Sequence, residues 1–299
     1  MSVHTPVLLN EVIEFLKAAP GKKFIDCTLN GGGHALAIAE KIQPDGKVLG
    51  IEWDPELLKQ FRLKIENLGL EDRITTVNDS YVNIARIAGE HDFEPDGVLF
   101  DLGLSSWHYE SSGRGFSFKR DELLDMRFDP STKSRQVPAN EIVNLYTVTE
   151  LEQILRDYGE ERFARQIAES IGRERKKKPI MTTSELVAVI SGAVPEGYKH
   201  RRIHFATKTF QALRVVVNDE LGNVKKGVEA AIRILKKGGR IVVISFQGHE
   251  DKIVREIFKE QVRAGQLIQP VRRTIRPAYA EQKVNPRARS AKMKIAEKV

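Results

Sequence analysis

Gly97-Val98-Leu99-Phe100 runs straight into Asp101-Leu102-Gly103-Leu104-Ser105-Ser106, and far upstream Lys23-Phe24-Ile25 runs in the same way into Asp26-Cys27-Thr28-Leu29-Asn30-Gly31-Gly32-Gly33-His34. A short apolar run that stops at an acid and a glycine turn reads as a buried strand reaching its end. In an open parallel sheet, ligands bind beyond the carboxyl ends of the strands, at the point where the strand order reverses. Two polar strand ends facing one crevice therefore predict an α/β fold with a cofactor site, and they name its walls.

Working outward, Ala35–Ile42 reads as the helix after the first strand and Lys47–Ile51 as the second strand. Pro55–Asn67 follows as a helix, with Pro55 in its first turn and Asp54 placed as N-cap. Arg73–Val77 is the third strand and Gly97–Phe100 the fourth. Val215–Leu235 reads as one long helix stopped by Gly238-Gly239, before a fifth strand over Arg240–Phe246. Leu267-Ile268 and Lys292–Ile295 supply two more, which closes a mostly parallel seven-stranded sheet. Between Ser106 and Leu213 strand alternation is absent and amphipathic helices recur, at Thr149–Arg156, Phe163–Arg173 and Ser184–Ile190. Such a run between strands predicts an inserted all-helical domain over 106–213, splitting the core into 1–105 and 214–299.

A chain of 299 residues, 41% hydrophobic and 30% charged, is long enough for a real core and has the composition of a soluble globular protein. Its apolar runs fall short of the roughly 18 residues of a membrane helix, and the N-terminus lacks a signal peptide's basic start, so a cytoplasmic protein is expected. Cys27 is the single cysteine, which excludes a disulfide framework and a thiolate metal cluster. No structural metal is expected. The net charge of +7 favours a polyanionic partner.

Consecutive glycines after a strand let the backbone turn tightly and approach a ligand closely. A dinucleotide-binding loop would place a third glycine where Leu36 stands, and the lysine of a nucleoside triphosphate loop is missing. Glu52, just past the second strand, can accept two hydrogen bonds from ribose hydroxyls. S-adenosylmethionine and NAD both carry that ribose, so Glu52 alone leaves the two open.

His4-Thr5-Pro6-Val7-Leu8-Leu9, the Gly31–His34 loop, Asp101–Ser106, Arg114-Gly115-Phe116-Ser117-Phe118, Leu124–Arg127 and Tyr158–Ala164 occur here in one order. Thr209–Arg214, Val217–Leu221 and Asn285–Ser290 continue it. Together they resemble the MraW (RsmH) family of ribosomal RNA small-subunit cytosine-N4 methyltransferases over nearly the whole chain. The resemblance implies a Rossmann-like class I S-adenosylmethionine-dependent methyltransferase fold with an inserted helical domain. It implies methyl transfer to N4 of a cytosine in the decoding region of small-subunit ribosomal RNA. The family's cofactor contacts fall on Gly32, Gly33, His34, Glu52, Tyr81, Asp101 and His108. This chain has Glu52 where the family commonly has Asp, Tyr81 for Phe, His108 for Gln and Asn30 for a glycine, and Phe246–Asp251 departs from Phe-His-Ser-Leu-Glu-Asp.

The cytosine amine is a poor nucleophile because its lone pair is shared with the ring, so an acceptor for its hydrogen suits catalysis; the Asp101 carboxylate and a carbonyl in Leu102–Ser105 are the candidates, and service to the cofactor is the other role open to Asp101. Carbon-5 methylation would instead need a cysteine nucleophile, and Cys27 reads as a small buried residue. For RNA, Arg173-Glu174-Arg175-Lys176-Lys177-Lys178 and the basic tail, with nine Lys/Arg in its final 29 residues, are candidate phosphate contacts. Solvated helix ends are the alternative. Arg114, Phe116, Phe118, Lys119 and Arg120 suit stacking on an exposed base or, equally, anchoring the insert. The expected partner is small-subunit ribosomal RNA or the assembling subunit. A noncatalytic ribosome-assembly factor and an NAD-dependent oxidoreductase are the other readings.

Overall fold

The computed structural model describes residues 6–131 and 136–299, so His4 and Thr5 of the resemblance lie outside the described residues. Seven strands form one sheet: β1 Lys23–Asp26, β2 Lys47–Glu52, β3 Ile74–Asn78, β4 Gly97–Asp101, β5 Arg240–Ser245, β6 Leu267–Ile268 and β7 Lys292–Lys298. Their order is β3-β2-β1-β4-β5-β7-β6. The first five run parallel, and β7 lies antiparallel to both β5 and β6. The order reverses between β1 and β4, where Asp26 stands in register with Leu99, just short of Asp101.

Side chains alternate across this sheet because successive Cβ atoms point to opposite faces. Ile25, Leu49, Ile51, Val98, Phe100, Ile241 and Val243 pack into one core cluster. Phe24, Val48, Leu99, Val242 and Ile244 pack into the other. Both faces are therefore apolar, which explains the near-continuous hydrophobic strands in the sequence. The helix Leu9–Leu16, which the reading from strand ends does not predict, adds Val12 and Leu16 to the second cluster.

The chain divides into two compact units, Met1–Ser105 with Leu221–Val299, and Ser106–Glu220. The second unit holds the helices Ser106–Glu110, Ala139–Leu145, Val148–Asp157, Ala164–Glu174, Thr183–Ala193, Glu196–Lys199 and Thr207–Val217. Two of them start in capping boxes, Thr147 with Glu150 and Thr182 with Glu185, which satisfy orphan N–H groups reciprocally. Its end falls at Glu220 and not at Leu213, and the expected single helix Val215–Leu235 is two, Thr207–Val217 and Glu220–Ile234.

The cause is Asn218. Its side chain donates to the carbonyls of Met126 and Arg214 and accepts from Phe128 N–H, and Asp219 takes a left-handed φ of 45°. Arg214 forms a buried two-pronged pair with Glu220, Nε to Oε1 at 2.6 Å and Nη2 to Oε2 at 2.9 Å. These bonds hold residues 214–220 to the helical unit.

Candidate donor site

Three strands end on carboxylates: Asp26 on β1, Glu52 on β2 and Asp101 on β4, each under 8% exposed. The loop leaving β1 ties them together. Thr28 N–H donates to Asp26 Oδ1 at 3.1 Å, Thr28 Oγ1 accepts from Asp101 N–H at 2.7 Å, and Asn30 N–H donates to Glu52 Oε2 at 2.8 Å. Asn30 sits at φ 48°, a left-handed position that asparagine tolerates better than most residues. Gly32 follows at φ 74°, and a Cβ there would lie 1.7 Å from the Phe61 ring. Only glycine fits this turn, which then opens the helix Gly33–Lys41.

Glu52 also accepts from Asp54 N–H at 2.9 Å, so each of its oxygens holds one backbone donor and keeps a second lone pair. Burial, ahead of the Asp54 and Asp26 charges, raises its pKa from 4.5 to about 8. Asp54 is the N-cap of Pro55–Asn67, as expected, accepting from Glu56 and Leu57 N–H. Asp26 is likewise raised by burial, from 3.8 to about 7. Asp101 lies well above the carboxylate range, by burial first and then by the charges of Asp26 and Glu250.

His34, 5% exposed, places Nε2 3.0 Å from the Val7 carbonyl and Nδ1 3.5 Å from Asp101 Oδ2. Tyr81 begins a short 3₁₀ turn, Tyr81–Asn83, and sets its ring edge-on to Phe100 at 5.4 Å. A Cβ at Gly227 would come within 2.5 Å of that ring, so the glycine makes room for it.

The structure thus brings Gly32, Gly33, His34, Glu52, Tyr81 and Asp101 into the sheet unit, and His34, Glu52 and Asp101 stand at or beside the carboxyl ends of its strands. His108 belongs to the helical unit. It is 3% exposed and lies edge-on to Trp107, Phe116 and Phe128, with ring centroids 5.2 to 5.4 Å apart. Two further acids are missed by sequence reasoning as site residues. Asp26 is discoverable by the rule that finds Asp101, an acid closing an apolar strand. Glu250 is hidden in its helix start, where it accepts from Phe246 and Gln247 N–H.

The aromatic and basic surface readings change. Phe116 is buried and stacks on Phe128, and Phe118 packs against His204 and Phe210, so both anchor the helical unit. Arg114 donates to the carbonyls of Arg127 and Phe128. The end of the basic tail, Lys292–Lys298, forms β7, with Lys292 and Lys294 paired to Asp251 at 3.6 and 3.2 Å. Among the described residues no group of His, Cys, Asp and Glu is arranged to hold a metal, and no helix is long and apolar enough to cross a membrane.

A seven-stranded sheet of this order, with one antiparallel strand inserted near its edge and acids closing β1, β2 and β4, is the class I S-adenosylmethionine-dependent methyltransferase fold. The chain matches the MraW methylase family over residues 1–299, and it belongs to that family. It is similar to the ribosomal RNA small subunit methyltransferase H of Fervidobacterium nodosum, 43% identical over 299 residues covering 99% of this chain and 97% of the relative. The proteins of the same name from Persephonella marina and Symbiobacterium thermophilum are 41% and 39% identical, covering 100% and 99% of this chain and 100% and 96% of their own lengths. The nicotinamide alternative falls with this assignment.

S-adenosylmethionine fits the residues present. Its hydroxyls and ammonium are donors and its sulfonium is a cation, and the site offers acceptors. Among the described residues Asp26 Oδ2 and Asp101 Oδ1 are buried without a hydrogen-bond partner, and Glu52 has spare lone pairs.

Proposed function

We propose that this protein transfers the methyl group of S-adenosylmethionine to N4 of a cytosine in the decoding region of small-subunit ribosomal RNA. Membership of a methylase family over the whole chain supports methyl transfer, and the names of the relatives support the RNA substrate. The observation that carries the choice of an amine is Asp101 Oδ1, a buried acceptor at the end of β4 without a hydrogen-bond partner among the described residues. Carbon-5 chemistry needs a thiolate, whereas Cys27 is 2% exposed and burial, then the Asp26 charge, pushes its thiol well above the usual range.

When bound, the donor supplies an electrophilic methyl group on a sulfonium. Glu52 accepts the ribose hydroxyls, Tyr81 borders the adenine, and the Gly32-Gly33-His34 turn lets the backbone approach. His108 is read as a further donor contact. Asp101 accepts a hydrogen bond from the exocyclic amine, turns its lone pair out of conjugation and takes its proton. Orientation of this kind is worth at most about 7–11 kcal/mol. The helical unit is assigned to recognition of the folded RNA, since exposing a stacked base costs a few kcal/mol that distant contacts must supply.

Asp101→Asn tests the assignment, because it keeps the size, removes the charge and puts an NH₂ donor toward the substrate amine. Single-turnover methyl transfer to immature small subunits should fall far more than donor affinity, and a parallel loss of both would confine Asp101 to donor binding. Mass mapping of the methylated nucleotide reads N4 against carbon 5. Complete absence of methyl transfer by the intact protein would favour the noncatalytic assembly factor.

A further inference from the structure

The side chain of His34 does more than line the glycine loop. A backbone carbonyl only accepts, so the contact of Nε2 with Val7 O at 3.0 Å places a hydrogen on Nε2. Nδ1 then faces Asp101 Oδ2 at 3.5 Å. With no cation beside them, two facing lone pairs in a buried site repel, so in the free protein one proton lies between them, either on the imidazole or on the acid. The charges that bear on Asp101 are acidic: Asp26 from β1 and Glu250 from the helix Gly248–Arg263. Among the described residues no lysine or arginine is bonded to Asp26 or Asp101.

We propose that His34 is a positioning residue that holds the proton of Asp101, so that donor binding is linked to proton release. The inference rests on the methyl-donor reading above. Arrival of a sulfonium cation beside Asp101 Oδ1 favours the carboxylate, and the shared proton leaves to solvent. Asp101 is thereby converted into a proton acceptor only when the donor is in place. During transfer the C–S bond breaks, the N–C bond forms, and the amine gives its proton to Asp101. The sulfur product is then neutral and the His34–Asp101 pair again holds one proton. The pair is reset without any other reactant, and charge loss favours departure of the product.

Titration calorimetry of the full-length protein with S-adenosylmethionine and with S-adenosylhomocysteine tests this, in phosphate and in Tris at one pH, because the two buffers differ in ionisation heat. The two ligands differ in the sulfonium charge. Proton release should be greater with S-adenosylmethionine, and the affinity ratio of the two should rise with pH, by at most about tenfold per unit for a single linked proton. His34→Asn puts an amide donor near the position of Nδ1, holds Asp101 ionised and should remove most of the difference. His34→Gln keeps the bond to Val7 but leaves the proton on Asp101, and should retain it. A merely structural histidine would give the two variants the same proton count. Equal release by both ligands in the intact protein would overturn the proposal, and that comparison stands even where a variant fails to fold. Failure of either ligand to bind would overturn the donor reading itself.

Discussion

The backbone N–H of Asp101 donates to Thr28 Oγ1 at 2.7 Å, while Thr28 N–H donates to Asp26 Oδ1 at 3.1 Å. One threonine thus joins the two acids at the point where the strand order reverses. Thr28→Val keeps the shape and leaves the Asp101 N–H unpaired in a buried place. The expected loss of stability is about 1–3 kcal/mol, with Thr28→Ser close to the parent. Urea unfolding of the three proteins reads this directly, and a valine variant as stable as the parent would show that the bond is dispensable.

Asp26 gives the fold an unusual pH dependence. Its carboxyl is raised from 3.8 to about 7 by burial, so between those values the folded protein holds a proton that the unfolded chain has released. Stability from this group is therefore present below the unfolded value and falls as pH rises from about 4 to 7. Asp26→Asn can keep the bond to Thr28 through its carbonyl and carries no charge. Without ligand it should be more stable than the parent at pH 8, equal to it near pH 4, and flatter between. Denaturation midpoints across that range decide the matter, and parallel curves would place the acid's burial penalty elsewhere.

Gly32 and Phe61 should behave as a coupled pair. A Cβ at Gly32 meets the Phe61 ring at 1.7 Å, and its φ of 74° is unfavourable to any side chain. Gly32→Ala should cost about 1–3 kcal/mol from backbone strain alone, with the ring clash added. In the Phe61→Leu background the clash is relieved and the strain stays, so the double variant should be less destabilised than the sum of the singles. Strict additivity would mean that the ring moves aside without cost.

Asp101 and Glu52 are legible in the sequence as polar ends of apolar runs, because in a buried parallel sheet the strand interior admits few other residues. Asp26 obeys the same rule but is overshadowed by the glycines after it. The His34–Asp101 contact is not legible, since it depends on how the helix Gly33–Lys41 settles against β4. Nor is the break at Asn218, whose bond to Met126 spans 92 residues, because local periodicity favours one continuous helix from 215. Phe116 and Phe118 show the limit of composition: aromatic residues between arginines and lysines suit an RNA surface and an anchor alike, and only their packing, on Phe128 and on His204 and Phe210, separates the two.

The cluster at 173–178 divides the same way, and this sharpens a test of RNA binding. Arg175 Nη1 donates to the Val143 carbonyl at 2.7 Å, joining two helices of the helical unit. Lys177 and Lys178 pair with Glu174 and Glu185, but all four side chains are at least 30% exposed, and such pairs yield readily to a phosphate. Arg173 and Lys176 are exposed. Arg175→Gln should therefore destabilise the helical unit and change the salt dependence of subunit binding little. Replacing Arg173, Lys176, Lys177 and Lys178 by Gln should leave stability within about 0.5 kcal/mol, as for other surface changes. It should weaken binding to small subunits and reduce the slope of log affinity against log salt by about 1 for each phosphate no longer neutralised. Donor affinity should not change, because none of these residues is among the donor contacts named above. An unaltered slope in the fourfold variant would assign the cluster to solvent, and the next charges to test would be Arg287 and Arg289.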